Sequence, residues 1–224
     1  MLDDLIRHPI LTARFIARRI RQIPAMGLPK LWRREEEDDF DQKYGVETSG
    51  VVQIVPTKSP NFSHGNRYSA SSETMIRWCI ENCETPHSET SFVDVGSGKG
   101  RVLIIAAMYP FKRIIGVEYS PELVRTCNDN LRKLGISNKC EVVSADAADY
   151  QFPDGNLLVF LYNPFDATIL NRVIRNLADT RGRTQIAQLG PGHDVIKKSG
   201  LARVICSGEG PTLYEVLKSG CTTN

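Results

Sequence analysis

The residues best suited to chemistry are three glycines that directly follow a short apolar run. The stretch 92–100 reads Phe-Val-Asp-Val-Gly-Ser-Gly-Lys-Gly, with Asp94 two residues before the first glycine. Glycine is needed where a backbone turns tightly and approaches a ligand without a Cβ atom in the way. A helix that begins after this turn, at Arg101, would present free N–H groups and partial positive charge. The pattern therefore predicts a turn that binds a carboxylate or a phosphate.

The spacing of these glycines separates the possible ligands. A dinucleotide fingerprint would require glycine at position 101, where the chain has Arg101. A P-loop would require a Gly-Lys-Ser or Gly-Lys-Thr run after four intervening residues, and the sequence contains none. A NAD-dependent oxidoreductase is thus disfavoured.

Acidic residues follow the next two predicted strands. Glu118 ends the strand at 113–118, and Asp146 comes just after the strand at 140–144. In a parallel sheet the carboxyl ends of successive strands meet at one crevice. Together with Asp94, these two carboxylates should therefore converge on the glycine turn.

The run 92–100, together with these acidic residues, closely resembles the first motifs of the Rossmann-like, class I S-adenosylmethionine (SAM)-dependent methyltransferases. The resemblance implies that the Glu118 carboxylate binds the ribose diol of SAM, that Asp146 accepts the adenine amino proton, and that the backbone N–H of Ala147 meets a ring nitrogen. The implied cofactor-binding residues are Asp94, Gly96, Ser97, Gly98, Lys99, Gly100, Glu118, Tyr119, Asp146, Ala147, Asn163 and Tyr68.

A fourth motif, Tyr162-Asn163-Pro164-Phe165, follows the strand at 157–162. It is similar to the Asn-Pro-Pro-aromatic motif of amino-methylating enzymes, whose Asn carbonyl accepts hydrogen bonds from the target nitrogen. The resemblance implies catalytic roles for Asn163, Tyr162 and Phe165. This chain has one proline in place of two, which disfavours a nucleobase or a glutamine amide as acceptor. The alternative is that Asn163 only caps the turn.

Helical and strand patterns alternate from residue 71 onward, which predicts a parallel sheet with helices on both faces. A serine at 71 or 72 can cap a first helix. The predicted strands are 91–95, 113–118, 140–144, 157–162, 184–189, 202–207 and 212–217, and the predicted helices are 101–108, 121–134, 167–177 and 193–198. Gly208–Pro211 indicates a tight connection, so the last two strands should form an antiparallel hairpin at the end of a doubly wound, mostly parallel seven-stranded sheet.

Three regions are expected along the chain. Residues 1–39 form a basic helical extension followed by an acidic linker, 40–70 form a cover segment, and 71–224 form the SAM-binding domain. The cover segment lacks its own periodic apolar face, so we expect it to fold over the cofactor crevice. Within it, Tyr68 is placed at the cofactor and Thr48 is a weaker candidate. The alternative is that the segment packs across the opposite face. Stretch 40–50 and Tyr68 also resemble a bacterial group of class I methyltransferases of undetermined substrate.

The formal net charge of +2 gives no strong signal for nucleic-acid binding. The basic N-terminal helix could contact a membrane surface or a partner, or could pack on its own domain with a solvated basic face. The chain shows no signal peptide and no apolar run long enough to span a membrane, so a cytoplasmic protein is expected.

The six cysteines form no Cys-x-x-Cys pair, which favours reduced thiols packed as small hydrophobes over a metal site. His64 and His193 are possible bases by residue type only. The leading hypothesis is a SAM-dependent methyltransferase that acts on an unidentified small molecule or protein side chain, with nitrogen favoured over oxygen. The alternative is a SAM-binding sensor or interaction protein without catalysis.

Overall fold

The structure is a computed structural model that describes residues 39–50, 71–162 and 165–219. These residues all lie within one compact unit that spans 37–224. The predictions for the basic N-terminal extension, for His64 and Tyr68, and for Asn163 fall outside the described residues.

Helices and strands alternate along the described chain. The helices are α1 (Glu73–Glu81), α2 (Arg101–Ala106), α3 (Pro121–Lys133), α4 (Ala167–Ala178) and α5 (His193–Lys198), and a 3-10 turn lies at His87–Glu89. The strands are β1 (Thr90–Val95), β2 (Arg113–Glu118), β3 (Cys140–Ser144), β4 (Asn156–Tyr162), β5 (Thr184–Leu189), β6 (Ala202–Ser207) and β7 (Thr212–Val216). A further helical stretch at 39–44 precedes them.

The strands form one seven-stranded sheet in the order β3-β2-β1-β4-β5-β7-β6. The first five strands in this order are parallel, whereas β7 pairs antiparallel with both β5 and β6. The chain order reverses between β1 and β4, which is the topological switch point where ligands bind in open sheets of this kind. The predicted sheet and its antiparallel C-terminal hairpin are confirmed.

Each face of the sheet carries its own apolar core. One core joins α1, α2 and α3 to the sheet through side chains such as Ile76, Leu103 and Leu131. The other joins α4 and α5 through side chains such as Val173 and Ile196. The inner strands are buried on both faces, which explains their nearly continuous apolar sequences.

Several predicted bounds differ from the structure by one residue, and two local predictions differ further. Helix α2 ends at Ala106 and not at Met108, because the chain tightens into a turn in which the Met108 N–H donates to the Ile105 carbonyl, 3.1 Å away. Ser72 occupies the N-cap position of α1, but its side chain makes no capping hydrogen bond. In the described part of the chain, no helix is long and apolar enough to cross a membrane.

Candidate functional site

The glycine turn lies directly above the end of β2. Gly96 and Ser97 both donate their backbone N–H groups to the carbonyl of Val117, at 2.8 and 3.1 Å. Gly96, Gly98 and Gly100 have φ angles of +82°, +53° and +88°. Residues with side chains rarely adopt such angles, so the turn depends on its glycines.

Two glycines also leave room for close packing beneath the turn. A Cβ atom on Gly100 would lie 2.6 Å from the Sγ atom of Cys127 in α3. A Cβ atom on Gly116 in β2 would lie 2.8 Å from the Ser97 Oγ and 2.6 Å from the Leu103 Cδ1. The turn can therefore sit low on the sheet only because both positions lack side chains.

Glu118, at the end of β2, already accepts two backbone hydrogen bonds. Its Oε2 accepts from the Gly98 N–H at 3.0 Å, and its Oε1 accepts from the Ser120 N–H at 2.8 Å. Burial raises the pKa of this carboxyl, and the backbone hydrogen bonds oppose that effect only in part. Since a carboxylate offers about four acceptor sites, Glu118 retains acceptor capacity for a ribose hydroxyl.

Asp94 and Tyr119 are the clearest signs that a ligand belongs here. The Asp94 Oδ2 and the Tyr119 hydroxyl are buried and have no hydrogen-bond partner among the described residues. Burial, and next the nearby Glu118 carboxylate, raises the pKa of Asp94 well above its ordinary value. Buried polar groups in proteins are nearly always paired, so these atoms fit a ligand that carries several hydrogen-bond donors, as SAM does.

Asp146 lies beside the same group of residues. Its Oδ1 accepts from the Ala148 N–H at 2.9 Å in the turn after β3, where Ala147 is buried. Burial, followed by the charges of Glu118 and Asp146, raises the pKa of Tyr119 to about 12. The structure thus brings together the acidic residues of three strand ends around one turn.

The residues that flank Asn163 lie at the same edge of the sheet. Tyr162 ends β4, and β4 pairs with β1 so that Leu161 is opposite Val95. Phe165 packs against the core that includes α4. Asp166 caps α4 by accepting from the Thr168 N–H at 2.9 Å.

Lys99 and Arg101 direct their side chains toward residues 39–50, which we name the arm. The Lys99 ammonium is 2.9 Å from the Glu47 carboxylate and 3.0 Å from the Ser49 carbonyl. Any contact of Lys99 with the cofactor would therefore come from its backbone. Arg101 is only 4% exposed and donates to Thr48 at 2.8 Å and to Ser49 at 2.9 Å.

The arm is anchored by Phe40 and Asp41, which the sequence analysis did not single out, and by Thr48, which it had placed near the cofactor as a weaker candidate. Phe40 is buried, and its ring centre lies 4.5 Å from the Arg101 guanidinium carbon. The Asp41 carboxylate accepts from the Thr48 N–H, the Thr48 hydroxyl and the Ser49 N–H. Thr48 is fully buried and bonds to protein groups, which gives it a role in docking the arm.

Asn130 in α3 is the other functional candidate that was missed. It is 1% exposed, and its amide bonds both to the arm and to the glycine turn. The sequence does carry an indication of this residue. One helical face holds positions 123, 127, 130, 131 and 134, and Asn130 is the polar residue on that otherwise apolar face.

His193, one of the possible bases, packs beside β7. Its Nδ1 is 3.0 Å from the hydroxyl of Tyr214 in β7, and burial lowers its pKa. Within 39–50, 71–162 and 165–219, no group of three His, Cys, Asp or Glu side chains could hold a metal ion.

Comparisons with known proteins agree with this geometry. Residues 86–206 match the methyltransferase domain family. The chain is 30% identical over 102 residues to an rRNA N(6)-adenosine-methyltransferase of Caenorhabditis elegans, covering 44% of this chain and 48% of that protein. It is also 30% identical over 129 residues to the ribosomal protein L11 methyltransferase of Desulfosudis oleivorans, covering 54% of this chain and 39% of that protein. The chain thus spans less than half the length of these relatives.

A solved RNA methyltransferase from Salinibacter ruber, in complex with S-adenosyl-L-homocysteine, has the same fold. It superposes with a TM-score of 0.50 at 19% identity, over 69% of this chain and 97% of that structure. The family match covers more than half of the chain and includes every strand from β1 to β5 and all of β6 but its last residue. The chain therefore belongs to the class I methyltransferase family, and its cofactor is S-adenosylmethionine.

Proposed function

We propose that this protein transfers the methyl group of SAM to a nitrogen atom of a macromolecular acceptor, with a protein side chain as the first candidate. The observation that carries the proposal is the position of Tyr162 and Phe165 at the carboxyl edge of β4, beside the strand that ends in the glycine turn. In this sheet, groups at that edge border the crevice in which the cofactor binds.

The chemistry asks more for positioning than for a strong base. When bound, SAM supplies an activated methyl group on a sulfonium that is a good leaving group. The chain must hold a neutral nitrogen in line with it and keep water out. We propose that the Asn163 carbonyl accepts a hydrogen bond from the acceptor amine and that Phe165 and Tyr162 border it with aromatic surface.

Two facts support a macromolecular nitrogen acceptor. One relative is described as methylating the N6 atom of adenosine in rRNA, and another is described as methylating a ribosomal protein. The single proline after Asn163 departs from the motif of enzymes that act on nucleobases, so we place a protein amine ahead of a base. An rRNA base remains the second candidate, favoured by the Caenorhabditis elegans relative.

The test is incubation of the full chain with SAM labelled on its methyl group and with cell extract separated into protein, RNA and small-molecule fractions. We expect label in the protein fraction with the native chain and none with Gly98→Val, whose side chain would block the turn. Label only in RNA would support the second candidate. Binding of S-adenosylhomocysteine without label in any fraction would contradict catalysis and favour a SAM-binding sensor.

Asn163→Ala tests the proposed alignment of the acceptor. We expect a lower rate of methyl transfer with nearly unchanged SAM affinity, because the side chain is assigned to the acceptor and not to the cofactor. Asn128→Ala, an exposed asparagine of α3, serves as the matched control. Equal rates for the Asn163→Ala variant and the control would indicate that Asn163 only caps the turn.

A further inference from the structure

The arm and the glycine turn are joined by one buried amide. The Asn130 Nδ2 donates to the Glu47 carbonyl at 2.8 Å and to the Lys99 carbonyl at 3.0 Å. Its Oδ1 accepts from the Glu47 N–H at 3.0 Å. One side chain of α3 thus bonds at the same time to the backbone of Glu47 in the arm and to the backbone of Lys99 in the turn.

Two cations on either side of Gly100 hold the same stretch of the arm. Lys99 is 7% exposed and bonds to Glu47 and Ser49. Arg101 bonds to Thr48 and Ser49 and also lies 3.6 Å from the Asp41 carboxylate. The turn therefore cannot move independently of residues 47–49 without breaking buried polar contacts.

Such contacts are costly to break. A buried donor or acceptor that loses its partner is left desolvated with no compensating hydrogen bond. The arm has only a small apolar anchor of its own, with Phe40 and Val46 buried in the core shared with α1, α2 and α3. Its docking thus depends strongly on polar bonds to the turn and to α3.

We propose that Asn130 is a positioning residue for the cofactor: by bonding to both the arm and the Gly96–Gly100 turn, it makes the affinity for SAM depend on the arm being docked. Its side chain acts through the turn, and no direct contact with SAM is assigned to it. The inference rests on the cofactor and on the glycine turn as its site, and it is independent of which acceptor receives the methyl group.

Thermodynamic linkage makes the proposal quantitative. If docking of the arm raises SAM affinity by some factor, cofactor binding must favour docking by the same factor. Loss of the bridging amide should lower the affinity for SAM about tenfold, which corresponds to about 1.4 kcal/mol. A loss of this size is expected because the amide's buried partners would be left without a hydrogen bond. Hydrogen exchange of amides in 39–50 should then slow by about the same factor when the ligand is added.

The first variant is Asn130→Asp. It has the same shape and keeps an acceptor for the Glu47 N–H, but it replaces the donor to two carbonyls with a carboxylate oxygen. We expect the affinity for S-adenosylhomocysteine, measured by calorimetry, to fall about tenfold or more. Amides of the arm should exchange faster than in the native chain, while amides of β5 and β7 should keep their protection. Asn128→Asp adds the same charge on the exposed side of α3 and should bind S-adenosylhomocysteine as the native chain does.

A second variant keeps the proposal testable if Asn130→Asp does not fold. Asp41→Ala lies in the arm and removes the acceptor that closes the arm on Thr48 and Ser49. The Asp41 carboxylate lies 3.6 Å from Arg101, which directly follows the turn. Weaker binding of S-adenosylhomocysteine by this variant would therefore show that docking of the arm is coupled to the turn. We expect a loss of several-fold in affinity together with faster exchange in 39–50.

The outcomes separate this inference from the proposed function. Native affinity in a folded variant whose arm exchanges freely would overturn the inference, because the arm would then be packing alone. Weaker binding with coupled loss of arm protection would support it. Failure of the native chain to bind S-adenosylhomocysteine would instead remove the basis of the proposed function. Binding by the native chain without methyl transfer would contradict the proposed catalysis and leave the role of Asn130 intact.

Discussion

At the scale of single residues, the carboxylate of Glu118 connects the cofactor turn to β2. It holds the Gly98 N–H and still has free acceptor capacity. Glu118→Ala would remove both the predicted partner of the ribose and a support of the turn. Because hydrogen bonds to charged groups contribute about 1.5–3 kcal/mol, we expect SAM affinity to fall about tenfold or more in calorimetry. Glu122→Ala, an exposed acid in the first turn of α3, is the control. Unchanged affinity in a folded Glu118→Ala variant would refute the assignment.

Asp94 should make the stability of the ligand-free protein depend on pH. Burial and the Glu118 charge raise its pKa above the ordinary value of 3.8, so the folded state binds more protons than the unfolded state above about pH 4. Stability from this residue is therefore present below that pH and is lost as pH rises toward the raised pKa. Asp94→Asn cannot ionise and should flatten this decline. Denaturant unfolding across the window measures it, and equal slopes for both proteins would contradict the expected burial of the charge.

At the scale of helices and strands, the sequence predicted the sheet well because its strands are buried runs bounded by turn residues. The bounds of β2, β3, β5, β6 and α5 match the predicted ones. The contacts of Lys99, Arg101 and Asn130 with the arm were not foreseen. Residues 40–50 carry few apolar residues, and the bonds that dock them join positions up to 83 apart in the chain. No periodic pattern reports such long-range polar pairing.

Gly116 shows how a strand residue can determine the height of the turn above the sheet. A methyl group there would press on Ser97 and on the buried Leu103. We expect Gly116→Ala to fold, with SAM affinity lowered about tenfold, since overpacking of a dense core typically costs about 1–3 kcal/mol. Removing the Ser97 hydroxyl in a Gly116→Ala/Ser97→Ala double variant should restore part of that affinity. Calorimetry on both variants decides, and native affinity for Gly116→Ala would show that the turn tolerates displacement.

At the scale of the whole molecule, the site and a separate ion-pair network lie at opposite ends of the strands. The glycine turn, Glu118 and Asp146 cluster at the carboxyl ends of β1, β2 and β3. Near the amino end of β5, Arg183 pairs with Glu84, which follows α1. Arg183 also pairs with Glu215 in β7, at 2.9 Å. Glu215 also pairs with Arg203 in β6, and these pairs lower its pKa. This network ties the antiparallel hairpin to the parallel strands.

This separation predicts that stability can be lowered without weakening cofactor binding. Arg183→Ala should break both pairs and cost about 1 kcal/mol, because partly exposed ion pairs contribute little individually. For a chain of this size that corresponds to a fall in melting temperature of about 2–4 °C. Affinity for S-adenosylhomocysteine should stay within about twofold of native, well inside the tenfold that 1.4 kcal/mol represents. Arg181→Ala, an exposed neighbour, should change neither quantity. Scanning fluorimetry and calorimetry on the same samples give both readouts. A large loss of affinity in Arg183→Ala would mean that the two ends of the sheet are coupled, and it would also weaken the specific role assigned to Asn130.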